Sequence, residues 1–91
     1  MQITDNAEVM GTLTRIIREV FDDESLVACD NMTAADVQKW DSLSHIDLVH
    51  AVEHRFSIRL TTREITSLKN IGDLAKLIQK KLAVLLENHT Y

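Results

Sequence analysis

Apolar residues recur at steps of three or four along three stretches of the chain, the spacing that places them on one side of a helix. The first stretch predicts a helix over residues 6–21, which Asp5 caps together with Glu8. The second predicts a helix over residues 42–56, and the third a helix that begins after the cap residue Asn70. The predicted inward positions are Val9, Leu13, Ile16, Ile17, Val20 and Phe21 in the first helix, Leu43, Ile46, Val49, Val52 and Phe56 in the second, and Ile71, Leu74, Leu77, Ile78, Leu82 and Leu85 in the last.

Two shorter elements are predicted between these helices. Thr33 followed by Asp36 indicates a cap and a single helical turn within the long loop that precedes the second helix. Thr61 followed by Glu64 repeats that arrangement and predicts a short helix over residues 62–68. The apolar residues expected to pin the long loop to the core are Leu26, Val27, Met32 and Val37, and those expected to face inward from the short helix are Ile65 and Leu68.

Composition agrees with a helical fold. The chain has 91 residues, 45% of them hydrophobic, with no proline and two glycines. Such a chain favours helices joined by short turns over a sandwich of many strands. We therefore expect an all-α four-helix bundle with three longer helices, a short third helix and a long loop between helices 1 and 2, in a single domain that spans residues 1–91.

Charge and cysteine content restrict the classes of function. The formal net charge is −4, which disfavours nonspecific binding to nucleic acid. Residues 1–53 hold 11 acidic and 3 basic side chains, whereas residues 54–91 hold 3 and 7, so the first part is acidic and the second basic. Cys29 has no second cysteine to pair with and the amino end lacks a signal-like apolar run, so we expect a cytoplasmic protein. Charged residues interrupt every apolar stretch, and no membrane span is predicted.

The segment Asp41-Ser42-Leu43 at the start of the second helix is the main candidate for chemistry. Serine is favoured at helix starts and stabilises them by about 1 kcal/mol, so its position alone favours a structural role. The segment, however, resembles the attachment site of acyl carrier proteins, in which Asp-Ser-Leu opens the second of four helices. The likeness continues without a gap through Ile46, Leu48, Val49, Glu53, Phe56, Ile58, Leu60, Glu64, Ile71, Gly72 and Leu74.

The resemblance implies that Ser42 carries a 4′-phosphopantetheine arm whose thiol holds acyl groups as thioesters. The protein would then be a carrier without catalytic residues of its own. A magnesium-dependent phosphopantetheinyl transferase would install the arm from coenzyme A, and free amides and the helix dipole at Ser42 would favour its phosphate. Asp41 either holds the magnesium ion or caps the helix, and both interpretations stay open. Leu43 and Ile46 are expected to serve core packing and transferase docking, with packing favoured.

The resemblance also implies further partners, namely an acyl-loading enzyme, a ketosynthase or other acyl-processing enzymes. The candidate docking residues on the second helix are Ser44, Ile46, Asp47, His50, Glu53 and His54, and the candidate acyl-pocket residues are Val49, Ile58, Leu60, Ile65 and Leu68. Many carriers have more acids on this helix. The shortage predicts weaker electrostatic steering, and therefore a dedicated polyketide or other specialised pathway instead of general fatty-acid synthesis.

The residues before the motif also depart from the family. Many carriers have glycine where Lys39 and Trp40 stand here. We interpret Trp40 as a lid on loop packing more than as a cargo contact. The absence of a paired glycine favours an acyl carrier over a peptidyl carrier.

Three other interpretations of the polar residues are weaker. His50 and His54 lie one turn apart with Asp47 on the same side, a spacing that can hold a metal, but a third strong ligand is lacking and solvated histidines are favoured. A triad of Ser42, His45 and Asp47 fails because Asp47 projects to a different side of the helix. Cys29 is expected to be a small buried filler more than a reactive thiol.

The competing function is a small helical interaction module without a prosthetic group, which would dock through the His-rich side of the second helix. The chain is expected to be a discrete, monomeric protein.

Overall fold

The computed structural model describes residues 5–37 and 39–88, with the backbone alone described for 85–88. It contains four α-helices and, in the long loop, one 3₁₀ turn: α1 (Asn6–Val20), the turn Ala34–Asp36, α2 (Ser42–Phe56), α3 (Thr62–Ser67) and α4 (Ile71–Asn88). No strand occurs among the residues so described. The predicted all-α bundle with three longer helices and one short helix is confirmed. The predicted inward position of Leu85 lies outside the described side chains.

Helix α1 packs against both α2 and α4, and their apolar sides meet in one core. The buried members are Val9, Leu13, Ile16, Ile17, Phe21, Val37, Leu48, Val49, Val52, Phe56, Ile58, Leu60, Ile71, Leu74, Ala75 and Ile78. Helix α3 contributes no fully buried residue, and Ile65 and Leu68 are half-buried at the edge of this core. An ion pair of 2.9 Å between Lys81 and Glu64 joins α3 to α4.

The helix starts follow the predicted caps. The Thr61 hydroxyl accepts from the Glu64 amide at 3.1 Å, and the Glu64 carboxylate accepts from the Thr61 amide at 2.9 Å. Asn70 accepts from the amide of Asp73 at 2.8 Å. Asp5 does cap α1, but it accepts from the amide of Ala7 at 3.2 Å instead of from that of Glu8.

Backbone contacts hold the long loop against the start of α4. The amides of Ile71 and Gly72 donate to the carbonyl oxygens of Met32 and Asp30, at 2.9 and 2.8 Å. Free amides of the first helical turn thereby find acceptors in the loop. A side chain at Gly72 would prevent this approach, because a Cβ there would lie 2.7 Å from the Asp30 carbonyl oxygen.

Two expectations about this loop are wrong. Val27 is 55% exposed, so it does not pin the loop, whereas Leu26 and Met32 pack against the core and Val37 is buried. Cys29 is exposed and is not a buried filler. The backbone bonds of Asp30 and Met32 fix the path of the loop on α4. This path leaves the side chains of Val27 and Cys29 in solvent.

The predicted apolar side of α2 also needs correction. Leu43 is 75% exposed and Ile46 is 50% exposed, so the expectation that both pack in the core is wrong. A step of three residues is shorter than a full helical turn of 3.6, and the three such steps from Leu43 to Val52 amount to about two and a half turns. The side chains of Leu43 and Val52 therefore project in opposite directions. Leu48, which the stripe omitted, is buried and belongs to the true inward side of α2 together with Val49, Val52 and Phe56.

Candidate functional site

Ser42 is the first residue of α2, and its side chain is exposed. The preceding residue, Asp41, has extended backbone angles (φ −120°, ψ −168°) and is the N-cap of the helix. The chain thus turns sharply just before Ser42 and presents its hydroxyl at the outer end of the bundle, where a visiting enzyme can approach it.

A capping box builds this turn from Asp41 and Ser44. The Ser44 amide donates to the Asp41 carboxylate at 2.9 Å, and the Asp41 amide donates to the Ser44 hydroxyl at 2.8 Å. The same hydroxyl donates to the carbonyl of Lys39 at 2.8 Å. The bond from the Ser44 amide lowers the pKa of Asp41, and so does the Ser44 hydroxyl, which shares its one proton between the Lys39 carbonyl and the Asp41 carboxylate at 3.2 Å. Asp41 is therefore a helix cap, and its proposed magnesium role stays a prediction.

This cap changes the predicted environment of a phosphate on Ser42. The sequence predicted free amides at the helix start, but the Asp41 carboxylate already accepts from the Ser44 amide. A phosphodiester on the Ser42 hydroxyl would lie in solvent beside an aspartate, with the helix dipole as its favourable field. The exposed position of Ser42 gives the group the space that it requires.

Trp40 lies behind the turn and connects it to the core. Its ring centroid is 5.4 Å from that of Phe21, which is 1% exposed. Its indole N–H donates to Nδ1 of His45 at 3.1 Å, and the two rings are nearly parallel. Trp40 therefore packs between the end of α1 and the first turns of α2, and its predicted role as a lid on the loop stays a prediction. The role of His45 was not foreseen, although its place five residues after Trp40 is the spacing of the hydrophobic staple at helix starts.

The surface around Ser42 is apolar on one side of α2. Leu43 and Ile46, both exposed, follow Ser42 within the first turns of the helix. Asp47, His50 and His54 are exposed along the same helix. These residues are free for contact with another protein.

Two of the candidate docking residues have internal roles. The hydroxyl of Ser44 is used by the capping box. The Glu53 carboxylate accepts from the amide of Leu60 at 2.8 Å and so holds the connection between α2 and α3. Asp47 is therefore the acidic residue of α2 whose side chain lies fully on the surface.

The acyl-pocket candidates lie at the junction of α2 with the segment that leads to α3. Val49, Ile58 and Leu60 are buried in the core, whereas Ile65 and Leu68 are half-buried. A surface depression near them is lined by polar residues together with Ile58, at the end of α2. All five belong to the core or its edge, and their contact with an acyl chain stays a prediction.

The weaker interpretations find no geometric support. Among the described side chains, those of residues 5–37 and 39–84, no three histidine, cysteine or acidic groups gather closely enough to hold a metal ion. Nδ1 of His45 accepts from Trp40, so it does not hold a proton that could orient a catalytic triad. No helix within residues 5–37 and 39–88 is both long enough and apolar enough to cross a bilayer.

The chain is similar to known proteins both in sequence and in fold. The family described as "Phosphopantetheine attachment site" matches residues 11–78. The chain is similar to the holo acyl carrier protein of Geobacter metallireducens, solved by NMR, with 44% identity and a TM-score of 0.84 over 91% of this chain and 95% of that one. A crystal structure of an acyl carrier protein from Thermotoga maritima shares the fold, with 24% identity and a TM-score of 0.77 over 88% of this chain and 93% of that one.

The family match includes the whole of the turn before α2 and the helix itself. It also extends over most of α1, the long loop, α3 and the first part of α4 as far as residue 78, so it concerns the bundle as well as the motif. Because a relative of 44% identity aligns along nearly the whole chain with the same fold, the protein belongs to the acyl carrier protein family, and its prosthetic group is 4′-phosphopantetheine.

Proposed function

We propose that Ser42 is the attachment point of the 4′-phosphopantetheine arm. The observation that carries this proposal is the exposed hydroxyl of Ser42 at the first residue of α2, directly after a cap that fixes the turn. In the transfer, the Ser42 oxygen forms a bond to the phosphorus next to pantetheine in coenzyme A. The pyrophosphate bond breaks, adenosine 3′,5′-bisphosphate leaves, and the serine proton passes to a base of the transferase.

When bound, the arm supplies a terminal thiol that holds acyl groups as thioesters. The protein's own residues present Ser42 and offer a surface to enzymes, and we propose no catalytic residue among them. Residues 1–91 form one carrier domain in this proposal. The cytoplasm is its proposed compartment, because the exposed thiol of Cys29 has no partner cysteine and suits reducing conditions.

Intact mass spectrometry tests the attachment. The apo protein is incubated with coenzyme A, Mg²⁺ and a phosphopantetheinyl transferase of broad specificity. We expect a gain of one arm in the wild type and in Ser67→Ala, which removes another exposed serine, but none in Ser42→Ala. Circular dichroism checks that each variant is folded. An arm on Ser42→Ala would refute the site, and a wild type that takes no arm would favour the interaction module instead.

The docking surface that we propose consists of Leu43, Ile46, Asp47, His50 and His54. The first two offer exposed apolar area next to Ser42, of the kind that marks contact sites between proteins. The transferase, an acyl-loading enzyme and a ketosynthase or another acyl-processing enzyme would visit it in turn. We expect Leu43→Ala and Ile46→Ala to raise the KM for the transferase while the unfolding temperature changes little. An unchanged KM in both variants would remove these residues from the surface.

We further propose that the carrier serves a polyketide or other specialised pathway. Exposed His50, His54 and Arg55 stand on α2, and the carboxylate of Glu53 is engaged with the Leu60 amide. A partner with a basic surface would thus find little on α2 to attract it beyond Asp47.

The components of a general fatty-acid synthase test this assignment. We expect them to load and extend the holo protein more slowly than their own carrier. The variant His50→Glu/His54→Glu, which adds two acids to α2, should recover part of the rate. Equal rates for the wild-type protein and the synthase's own carrier would contradict the specialised assignment.

The acyl chain, we propose, lies between α2 and α3 against Val49, Ile58, Leu60, Ile65 and Leu68. Helix α3 has six residues and none fully buried, so it is the element that moves at least cost. Chemical shifts in ¹H–¹⁵N spectra should change around these residues when an octanoyl group replaces an acetyl group on the thiol. Shifts confined to the surroundings of Ser42 would mean that the chain stays in solvent.

A further inference from the structure

The hydrogen-bonded ring pair of Trp40 and His45 stands directly behind the modified turn. The indole N–H donates to Nδ1 of His45 at 3.1 Å, and the ring centroids are 6.1 Å apart with an interplanar angle of 17°. Because Asp41 is the N-cap, Trp40 occupies the position before it and His45 the fourth position of the helix. These two positions make the hydrophobic staple that fixes how a chain enters a helix.

We propose that Trp40 and His45 are positioning residues for the modification of Ser42. The pair spans the turn from one side to the other, with Asp41 and Ser42 between its members along the chain. It holds that turn against the end of α1, so that the serine hydroxyl meets the transferase in one orientation. The inference rests on the proposed attachment of the arm to Ser42.

The turn has few other connections to the core. Asp41, Ser42 and Leu43 are all exposed, and the capping box bonds the turn only to itself and to Lys39. One backbone bond of 3.1 Å, from the Trp40 amide to the carbonyl of buried Val37, also reaches the core. Trp40, in contrast, contacts Phe21 at the C-terminal cap of α1, a side chain that is 1% exposed. The indole therefore links the turn to the rigid core, and its hydrogen bond to His45 extends this link to the first turns of α2.

A histidine suits position 45 because its ring packs against the indole and its Nδ1 accepts the indole N–H. Nδ1 accepts from the indole, so in this pair the imidazole proton resides on Nε2. A leucine at position 45 would keep the packing but would leave the half-buried indole N–H without its acceptor. An asparagine would offer an amide oxygen near the place of Nδ1. Comparison of His45→Leu with His45→Asn thus separates the hydrogen bond from the bulk of the side chain.

The test is steady-state modification of the apo protein by the transferase with coenzyme A and Mg²⁺. If the turn samples several orientations, the transferase binds only the competent fraction, and the apparent KM rises in proportion. We expect His45→Leu and Trp40→Phe each to lower kcat/KM about three- to tenfold, mainly through KM. The kcat/KM of His45→Asn should stay within about twofold of the wild-type value. The double variant Trp40→Phe/His45→Leu should have a kcat/KM no lower than that of either single variant, because both substitutions remove the same hydrogen bond.

A spectroscopic readout accompanies the kinetics. The chain contains a single tryptophan, so near-ultraviolet circular dichroism in the indole band reports on Trp40 alone. The band should weaken in His45→Leu and be retained in His45→Asn, while far-ultraviolet spectra show folded helices in both.

Equal kcat/KM in the wild type and His45→Leu would overturn the positioning role while leaving the attachment to Ser42 intact. A loss in His45→Leu that His45→Asn fails to rescue would overturn it as well, since the hydrogen bond would not be the cause. A wild type that takes no arm at all would overturn both proposals. Slow modification of His45→Leu with rescue by His45→Asn supports the positioning role.

Discussion

The two glycines of the chain differ in what surrounds their α-carbons. Gly11 is exposed within α1, and a Cβ there would have nothing within 4 Å. Gly72 is the second residue of α4, and a Cβ there would lie 2.7 Å from the oxygen and 3.1 Å from the Cα of Asp30. Since the obstructing atoms belong to the backbone, the loop itself must shift. We therefore expect substitution by alanine to have opposite effects at the two positions.

The size of each effect follows from separate contributions. Gly11→Ala should raise the free energy of unfolding by about 0.5–1 kcal/mol, because it removes backbone freedom from the unfolded chain. Gly72→Ala forces a close contact apart, which costs about 1–3 kcal/mol, and lengthens the 2.8 Å bond from its amide to Asp30. The gain in helix propensity offsets only part of that cost. Gly72→Ala should therefore lower the free energy of unfolding by about 1–2 kcal/mol.

Thermal and urea unfolding, followed by far-ultraviolet circular dichroism, measure this difference. For a domain of this size, 1 kcal/mol moves the unfolding temperature by roughly 4–8 °C, so the two variants should differ by about 10 °C. The urea m-value should be unchanged in both, which would show that the native fold and the unfolded state are preserved. A Gly72→Ala protein as stable as the wild type would show that the loop yields freely. The backbone contact at Asp30 would then not determine the loop's path.

Three further predictions follow from the burial and charge of single residues. Leu48→Ala should lower the free energy of unfolding by about 2–5 kcal/mol, while Leu43→Ala should change it by less than about 0.5 kcal/mol; urea unfolding of both variants checks this, and equal losses would contradict it. The pKa of Asp41 lies below its ordinary 3.8 because of the Ser44 amide. The ionised carboxylate therefore stabilises the fold fully above pH 3.8, and this contribution is lost as the pH falls through the lowered pKa of the folded state. The unfolding temperature of Asp41→Asn should therefore fall less in acid than that of the wild type, and parallel curves would contradict this. Cys29 should react fully with a thiol reagent in the native protein, and a thiol protected until unfolding would contradict its exposure.

The helices are the part of the fold that the sequence predicts well. The predicted ranges 6–21 and 62–68 each end one residue beyond the observed helices, whose C-terminal caps are Phe21 and Leu68. Caps and breaks are local, because each depends on side chains within three or four positions of the amides that they satisfy. The turn at Thr33 and the helix start at Asn70 were predictable for the same reason.

The loop was less predictable, because distant contacts determine its path. Its carbonyls at Asp30 and Met32 accept from amides about forty residues later in the chain, at the start of α4. No local pattern reveals that pairing, and composition alone placed Val27 and Cys29 inside. The glycine at position 72 was a signal, since a glycine in the first turn of a helix costs stability unless a close approach requires it.

The turn before Ser42 explains why the predicted stripe of α2 failed where the site begins. At the start of the helix, the inward direction is occupied by half-buried His45, which is hydrogen-bonded to Trp40, and Trp40 in turn packs on Phe21. Leu43 is then left to project away from the core, next to the serine. The polar groups of the turn bond among themselves through Asp41 and Ser44, so they need no partner from outside. The hydrogen bonds of the turn are already made, and Leu43 is exposed beside Ser42, so its side chain contributes nothing to the core. Its retention in solvent is explained if a visiting enzyme covers it, and this is why Leu43→Ala should leave stability intact while it weakens the encounter with the transferase.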